Sequence, residues 1–289
     1  MEKQKILNVA KKKVTEMYKK KSAKAANKLG FQGQMLTLLD QEEQDVSWKA
    51  CVYRVPRGVM AWAVRACTNT LATPDNLARW GRPVDPKCSM VGCNSPSTLG
   101  HLLSCCKTDT SLARYKFRHD SVLEHLLQEI RGKNKEGLTL YADLNGWRVN
   151  GGMVPPDMAL TGQVPDLVLI DKSVAPTRVV LLELTVPWDS ANSFKAALDR
   201  KTDRYERLTE DLKLAGYNTL NLPLKIGCQG LVNSRNTSVL ASICSMVGIR
   251  GFQKLRGTLG KIALLGSYRI WLARKSQDWS PGDLISPGQ

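Results

Sequence analysis

Apolar residues recur at helical spacing in the N-terminal half of the chain. In the basic first 45 residues, Leu7, Ala10, Val14 and Met17 fall on one side of a helix. A second helix is predicted over residues 56–71, where a proline suits the first helical turn. A third is predicted over residues 112–131. Its pattern gives a buried stripe of Tyr115, Val122, Leu123, Leu126, Leu127 and Ile130, and an exposed side that carries Arg118, Asp120 and Glu124.

The period changes in the C-terminal half, where short apolar runs replace the helical pattern. Runs at residues 167–170, 179–182 and 220–226 are rich in Val, Leu and Ile, which predicts buried strands. Strands that alternate with helices predict an α/β fold with a mixed central sheet flanked by helices. The helices predicted around these strands span residues 190–215, 234–247 and 252–275, and the first of them ends at Gly216 as its C-cap glycine.

The charge of the chain indicates the class of its partner. Forty-two Lys and Arg against 26 Asp and Glu leave a formal net charge of +16, more than solubility requires. The excess favours DNA or RNA as a partner over the alternative of a solvated basic surface. No run of 18 apolar residues is present, so we predict no membrane partner. Because no secretory signal is visible either, we expect an intracellular, nuclear protein.

Four potential metal ligands cluster in a segment that is too polar to form a core of its own. Cys88, Cys93, His101 and Cys106 have the spacing C-x4-C-x7-H-x4-C. Cysteines in a reducing setting serve as metal ligands more often than as disulfides, and this set suits a tetrahedral structural zinc site. Cys105 can replace Cys106, because spacing does not separate two adjacent thiols. The alternative of buried thiols beside a loop histidine stays open.

Two carboxylates accompany the predicted strands. Asp166 opens the first apolar strand after Pro165, and Glu183 lies inside the second. A glutamate in an apolar run is costly to bury unless it binds a cation or an ion-pair partner. On adjacent strands the two acids can hold Mg²⁺, or Mn²⁺, which would polarise a phosphate and activate an attacking water. A structural ion pair with an arginine is the alternative.

The lysine that completes such a site is missing from its usual position. Nucleases of the PD-(D/E)-x-K kind carry a lysine two residues after the second acid, where this chain has Thr185. Threonine supplies no positive charge, so either catalysis is lost or another lysine substitutes. Lys201 and Tyr205 lie one turn apart on the following helix. We predict that Lys201 substitutes, with Tyr205 beside it, and that Arg200 and Arg204 bind phosphate.

The order of these motifs resembles the C-terminal restriction-like endonuclease region of site-specific non-LTR retrotransposons. The resemblance covers about residues 55–275, and the set is specific although each motif alone is weak. It rests on the Cys/His knuckle, Arg118-His119-Asp120, Pro165-Asp166, Glu183, Lys201 and Tyr205, in this order, and on the phrases Thr73-Pro74-Asp75-Asn76-Leu77 and Leu182-Glu183-Leu184-Thr185-Val186-Pro187.

The resemblance implies cleavage of target DNA, whose freed 3′ end primes reverse transcription by a polymerase domain of the same polyprotein. It further implies that Lys201 supplies the displaced lysine, that Asp120 adds a metal ligand and that Arg118 contacts phosphate. Two departures remain. The knuckle opens with C-x4-C where the family usually has C-x2-C, and no polymerase segment is present. The sequence Tyr141-Ala142-Asp143-Leu144 is similar to the polymerase active-site box but lacks its second aspartate.

These expectations divide the chain into four segments. A basic helix and linker spans residues 1–54, and a helical segment with the CCHC knuckle spans residues 55–110. The endonuclease domain follows over residues 111–275, before a flexible tail over residues 276–289. The leading hypothesis is a DNA endonuclease derived from a retrotransposon. The alternatives are a catalytically silent nucleic-acid-binding protein of the same origin, and a zinc-stabilised assembly module.

Overall fold

The helices form where the apolar periodicity is helical. The structure is a computed structural model that describes residues 2–35, 38, 45–46, 55–145, 154–159, 162–232 and 234–279. Its helices are α1 (Glu2–Asn27), α2 (Arg57–Cys67), α3 (Pro74–Arg79), α4 (Asp109–Arg131), α5 (Ala191–Arg204), α6 (Glu206–Leu214), α7 (Ser234–Val247) and α8 (Phe252–Leu272), with one π-helical turn at His101–Cys105. None of the helices in these ranges is long and apolar enough to cross a membrane.

The three short apolar runs of the C-terminal half form three of the strands. The strands are β1 (Asp45–Val46), β2 (Leu138–Ala142), β3 (Leu167–Asp171), β4 (Arg178–Thr185), β5 (Asn218–Lys225) and β6 (Leu231–Val232). A four-stranded sheet has the order β2-β3-β4-β5, and the short β1 and β6 pair separately. The pairs β2/β3 and β3/β4 are antiparallel, whereas β4/β5 is parallel. The prediction of an α/β fold with a mixed sheet is therefore confirmed.

Helices cover both faces of the four-stranded sheet. Because side chains alternate along a strand, Leu182 and Leu184 of β4 face one core together with α4, α7 and α8. Val179 and Leu181 face the opposite core, which Tyr205 and residues of α6 complete. The parallel strands β4 and β5 need a crossover connection, and α5 and α6 supply it on this second face.

Two local predictions differ from the structure. The helix predicted over residues 190–215 is two helices, because the chain leaves helical geometry at Tyr205 with φ −113° and ψ 10°. Gly216 nevertheless ends the second helix with a left-handed φ of +89°, as predicted. Strand β2 was not predicted from the sequence, since its side chains are mostly half-exposed and lack a continuous apolar pattern.

Arg118 corrects the placement of the polar side of α4. The sequence puts Arg118 on the exposed side and assigns it a phosphate contact, but the residue is only 1% exposed. Its guanidinium donates to Ser267 Oγ at 2.9 Å and to the Val186 carbonyl at 3.0 Å. A Cβ at Gly266 would overlap the Arg118 side chain, so a glycine of α8 provides the space for it. Arg118 therefore joins α4 to α8, and its predicted position on the exposed side of α4 is wrong.

Candidate metal centres

The predicted Cys/His ligands converge on one point. One donor atom from each of Cys88, Cys93, His101 and Cys106 lies within 4.8 Å of the other three. The Cys93 sulfur and His101 Nε2 are 3.3 Å apart. Ligands of a tetrahedral zinc ion stand roughly 3.3 to 3.8 Å from one another, given its usual bond lengths. These four residues can hold a metal ion such as zinc, whereas Cys105 is exposed and outside the cluster.

Short backbone pairings place these ligands. Lys87 and Pro96 form an isolated antiparallel bridge, and the Cys88 amide donates to the Ser95 carbonyl at 2.9 Å. Gly92 allows the tight turn before Cys93, since its φ of +78° is open to glycine without steric cost. The π-helical turn then brings His101 back over this loop. Burial raises the pKa of the Cys88 thiol to about 12, so a cation is needed to favour the thiolate there.

Neighbouring elements brace the Cys/His cluster. The Tyr115 hydroxyl on α4 accepts from the Cys106 amide at 3.2 Å and is 3.0 Å from the His101 carbonyl. Gln277 donates its side-chain amide to the Ser89 carbonyl at 2.8 Å. Gln277 belongs to the segment predicted as a flexible tail. In the described part of that segment, Gln277 contacts the knuckle, and the Ser276 carbonyl accepts from Arg114 of α4 at 2.8 Å. Residues 280–289 lie outside the described part. The knuckle is thus attached to α4 and to the segment after α8.

Asp166 and Glu183 meet at the end of the sheet. Strands β3 and β4 pair Leu167 with Leu182, and the next step of that register places Asp166 opposite Glu183. The Asp166 amide donates to Glu183 Oε1 at 3.0 Å, and the Leu184 amide donates to Asp166 Oδ2 at 2.8 Å. Glu183 is 1% exposed, and the Asp166 side chain is 15% exposed. The two acids are therefore neighbours on adjacent strands, as predicted.

His119 connects this acid pair to Asp120. Its Nε2 lies 3.3 Å from Asp166 Oδ2 and 3.2 Å from the Leu184 carbonyl, and its Nδ1 lies 3.0 Å from Asp120 Oδ1. Burial lowers the pKa of His119, but the two carboxylates outweigh burial and raise it to about 9. Asp120 also pairs with Lys116 at 2.7 Å. The sequence predicts a role for Asp120 but gives no role to His119, although both belong to Arg118-His119-Asp120.

Tyr205 lies beneath the acid pair. It is fully buried, and its hydroxyl donates to the Val164 carbonyl at 2.8 Å. Burial and the neighbouring Glu183 raise the pKa of Tyr205 above its usual value. The predicted companion of Lys201 therefore contacts one of the predicted acids. The side chains of Arg200 and Lys201 lie outside the described residues, whereas Arg204 is exposed beside the Tyr205 ring.

A lysine that was not predicted as a site residue lies on strand β5. Lys225 pairs in register with Thr185, so the two side chains share one face of the sheet. Lys225 is 4% exposed, and its Nζ donates to the Phe194 carbonyl of α5 at 3.2 Å. It was overlooked because pairing between β4 and β5 is not visible in the sequence. A buried ammonium thus stands beside the position where the nuclease motif has its lysine.

The Cys/His cluster and the acid pair differ in their donor atoms. The Cys/His cluster is the one group of three or more close metal-binding side chains in the ranges that the structure describes. Its sulfur and nitrogen donors suit structural zinc, whereas Asp166 and Glu183 offer oxygen, which harder cations prefer. No family model matches this chain, and no curated protein matches it.

Proposed function

We propose that this chain is a metal-dependent DNA endonuclease with a PD-(D/E)-x-K core. The observation that carries the proposal is the contact between Asp166, directly before β3, and Glu183 of β4. The Asp166 amide donates to Glu183 Oε1 at 3.0 Å, and Glu183 is buried to 1% exposure. Burying a carboxylate is costly, and a cation at this position would offset that cost. The net charge of +16 adds a general attraction for nucleic acid.

In this proposal Asp166 and Glu183 hold Mg²⁺, and Mn²⁺ can replace it. The ion supplies Lewis-acid stabilisation of the phosphate and lowers the pKa of an attacking water. The amides of Asp166 and Leu184 fix one oxygen of each acid, which orients both carboxylates. Asp120 is proposed as a further ligand, because His119 joins it to Asp166. Lys201, one helical turn before Tyr205, is proposed to stabilise the developing charge.

The segment of residues 55–110, which contains the Cys/His cluster and is called the zinc module below, is proposed to position the substrate. Exposed Arg204 is proposed to contact the phosphates of the substrate. The motif order supports an origin in the endonuclease region of a non-LTR retrotransposon, with target DNA as substrate and the nick as primer for reverse transcription. Element RNA and a reverse transcriptase domain of the same polyprotein are proposed as further partners, and the nucleus as the site of action.

A second candidate function is a nucleic-acid-binding protein that has lost catalysis. Thr185 favours it, because the strand position that carries the catalytic lysine in the PD-(D/E)-x-K pattern has no charge here. The basic residues near the acid pair would then contribute only to the binding of nucleic acid. Both functions predict salt-sensitive binding of DNA, so binding alone does not separate them.

Cleavage by matched variants separates the two functions. We expect wild-type protein to nick DNA only when Mg²⁺ or Mn²⁺ is added. We expect Glu183→Gln, which keeps the shape and removes the charge, to lose at least about a hundredfold in rate while its affinity for DNA stays within about threefold. Glu206→Gln, an exposed change on α6, is the control for net charge and should cleave normally. Undiminished cleavage by Glu183→Gln would remove the proposed site.

A further inference from the structure

A cavity of about 310 Å³ lies beside the Cys/His cluster, and none of the four cluster residues lines it. It opens between helix α3, the loops of the zinc module and the segment that follows α8. Leu77, Val84 and Leu102 form its apolar walls. Its size is in the range of small-molecule pockets, and its mixture of apolar walls with a few polar groups is typical of them.

One polar group that lines this cavity makes no side-chain hydrogen bond within the described part of the chain. Ser97 lines the cavity and is 1% exposed, and its hydroxyl makes no hydrogen bond to any residue within the described ranges. This hydroxyl can therefore form a hydrogen bond with a ligand that enters the cavity. Asp85 adds an exposed carboxylate to the lining. The cavity therefore offers one buried hydroxyl and one carboxylate to the polar edge of a ligand.

Two cations stand at the end of the cavity formed by the segment after α8. Arg274 and Lys275 both line it. The Arg274 guanidinium lies 3.8 Å from the centre of the Trp271 ring and donates to the Trp271 carbonyl at 2.7 Å, which fixes its orientation. Lys275 is exposed. A ligand with an apolar body and an anionic end would match both the walls and these charges.

We propose that this cavity binds one unpaired nucleotide of single-stranded nucleic acid. The base would occupy the apolar part, with its polar edge on Ser97 and Asp85, and its phosphate would lie on Arg274 and Lys275. Flipped-out bases stack between aromatic or apolar side chains and are hydrogen-bonded on their edges, while basic residues follow the backbone. The inference rests on the proposed function, because it assumes a nucleic-acid substrate, and it assigns to the zinc module the capture of an unpaired strand.

Two valines of the zinc module provide a matched test. Val84 lines the cavity and Val91 does not, and both are exposed. Val84→Asp and Val91→Asp change the net charge equally, so only a local effect distinguishes them. With zinc-loaded full-length protein and labelled DNA, we expect Val84→Asp to bind a duplex with a single-stranded overhang about tenfold more weakly than Val91→Asp. Both variants should bind blunt duplex equally.

A second pair of variants tests the proposal even if Val84→Asp does not fold. Lys275→Glu reverses a charge at the cavity, and Lys254→Glu makes the same change on the exposed first turn of α8. We expect Lys275→Glu alone to lose the preference for the overhang. Equal binding of overhang DNA within both pairs would overturn the proposal. The binding comparison does not depend on cleavage, so the two proposals can fail separately. Wild-type protein that cleaves DNA but shows no preference for the overhang rejects the nucleotide site alone. Wild-type protein that prefers the overhang but does not cleave rejects the endonuclease alone.

Discussion

Adjacent residues in the zinc module have different environments that spacing does not reveal. Cys105 ends the π-helical turn and is exposed, whereas Cys106 has extended geometry and is 2% exposed inside the ligand cluster. The turn rotates one thiol outward and the next inward. The sequence therefore predicts the four-ligand site, and the backbone conformation chooses between the two cysteines.

This difference predicts opposite outcomes for two neighbouring substitutions. Cys106→Ser removes a zinc ligand, so we expect at least about a tenfold loss of zinc affinity and a clear fall in the unfolding temperature. Cys105→Ser should keep one zinc per chain and an unchanged unfolding temperature. Zinc content by atomic absorption and thermal unfolding measure both. Equal zinc loss in the two variants would contradict the assignment of Cys106.

His119 shows the same limit at the acid pair. Its position beside Asp120 is plain in the sequence, but its contact with Asp166 joins residues 47 positions apart and depends on how α4 packs against the sheet. In the absence of a metal ion the imidazolium is a cation between the two carboxylates. A group whose pKa is raised by folding stabilises the protein below its unfolded pKa.

The pH dependence of stability follows from this shift. The pKa of His119 rises from 6.5 to about 9 on folding, so its contribution is complete below pH 6.5 and is lost as the pH rises through 9. Without added Mg²⁺, we expect the free energy of unfolding to fall by about 2 kcal/mol more in wild type than in His119→Gln between about pH 7 and about pH 9.5. Denaturant titrations measure it. Parallel curves for the two proteins would contradict the contact.

At the scale of elements, strong apolar runs were sufficient to predict strands, whereas weaker patterns did not reveal the elements they form. Strands β3, β4 and β5 follow directly from runs of Val, Leu and Ile that both cores need. Strand β2 was missed because only Ala142 in it is fully buried. The break between α5 and α6 was missed because Tyr205 turns into the core, which is a tertiary constraint. Lys225 was missed because the sequence of one strand does not show which residues of the neighbouring strand lie beside it.

Lys201 and Lys225 are the two candidate sources of the positive charge that cleavage requires, and variants of each distinguish them. Lys201 precedes the residue that contacts Glu183 by one helical turn, whereas Lys225 is buried and bonded to the Phe194 carbonyl of α5. We expect Lys201→Met to lower the cleavage rate by about a hundredfold with an unchanged unfolding temperature. Lys225→Met should mainly lower the unfolding temperature. If Lys201→Met cleaves normally and Lys225→Met is folded but inactive, the catalytic positive charge comes from Lys225 of β5 and not from Lys201.

At the scale of the whole molecule, net charge predicted a class of partner and pattern predicted a class of fold. Helix α1 adds lysines and exposed apolar side chains such as Leu7, Val14 and Met17, which remain uncovered by the described part of the chain. The interior interactions were beyond prediction, as Arg118 shows: a charged residue in an amphipathic helix was assigned to solvent, yet it is buried between α4 and α8. Its partners are distant in sequence, so no local pattern identifies them.

The central claim is that Asp166 and Glu183 hold a divalent cation, and direct ion binding tests it most closely. Mn²⁺ can be counted on zinc-loaded protein by its electron paramagnetic resonance signal. We expect one bound Mn²⁺ per wild-type chain, displaced by excess Mg²⁺, and at least about tenfold weaker binding to Asp166→Asn. Asp157→Asn, a change of an exposed aspartate nearby in sequence, should bind as wild type. Equal Mn²⁺ binding by wild type and Asp166→Asn would contradict the account.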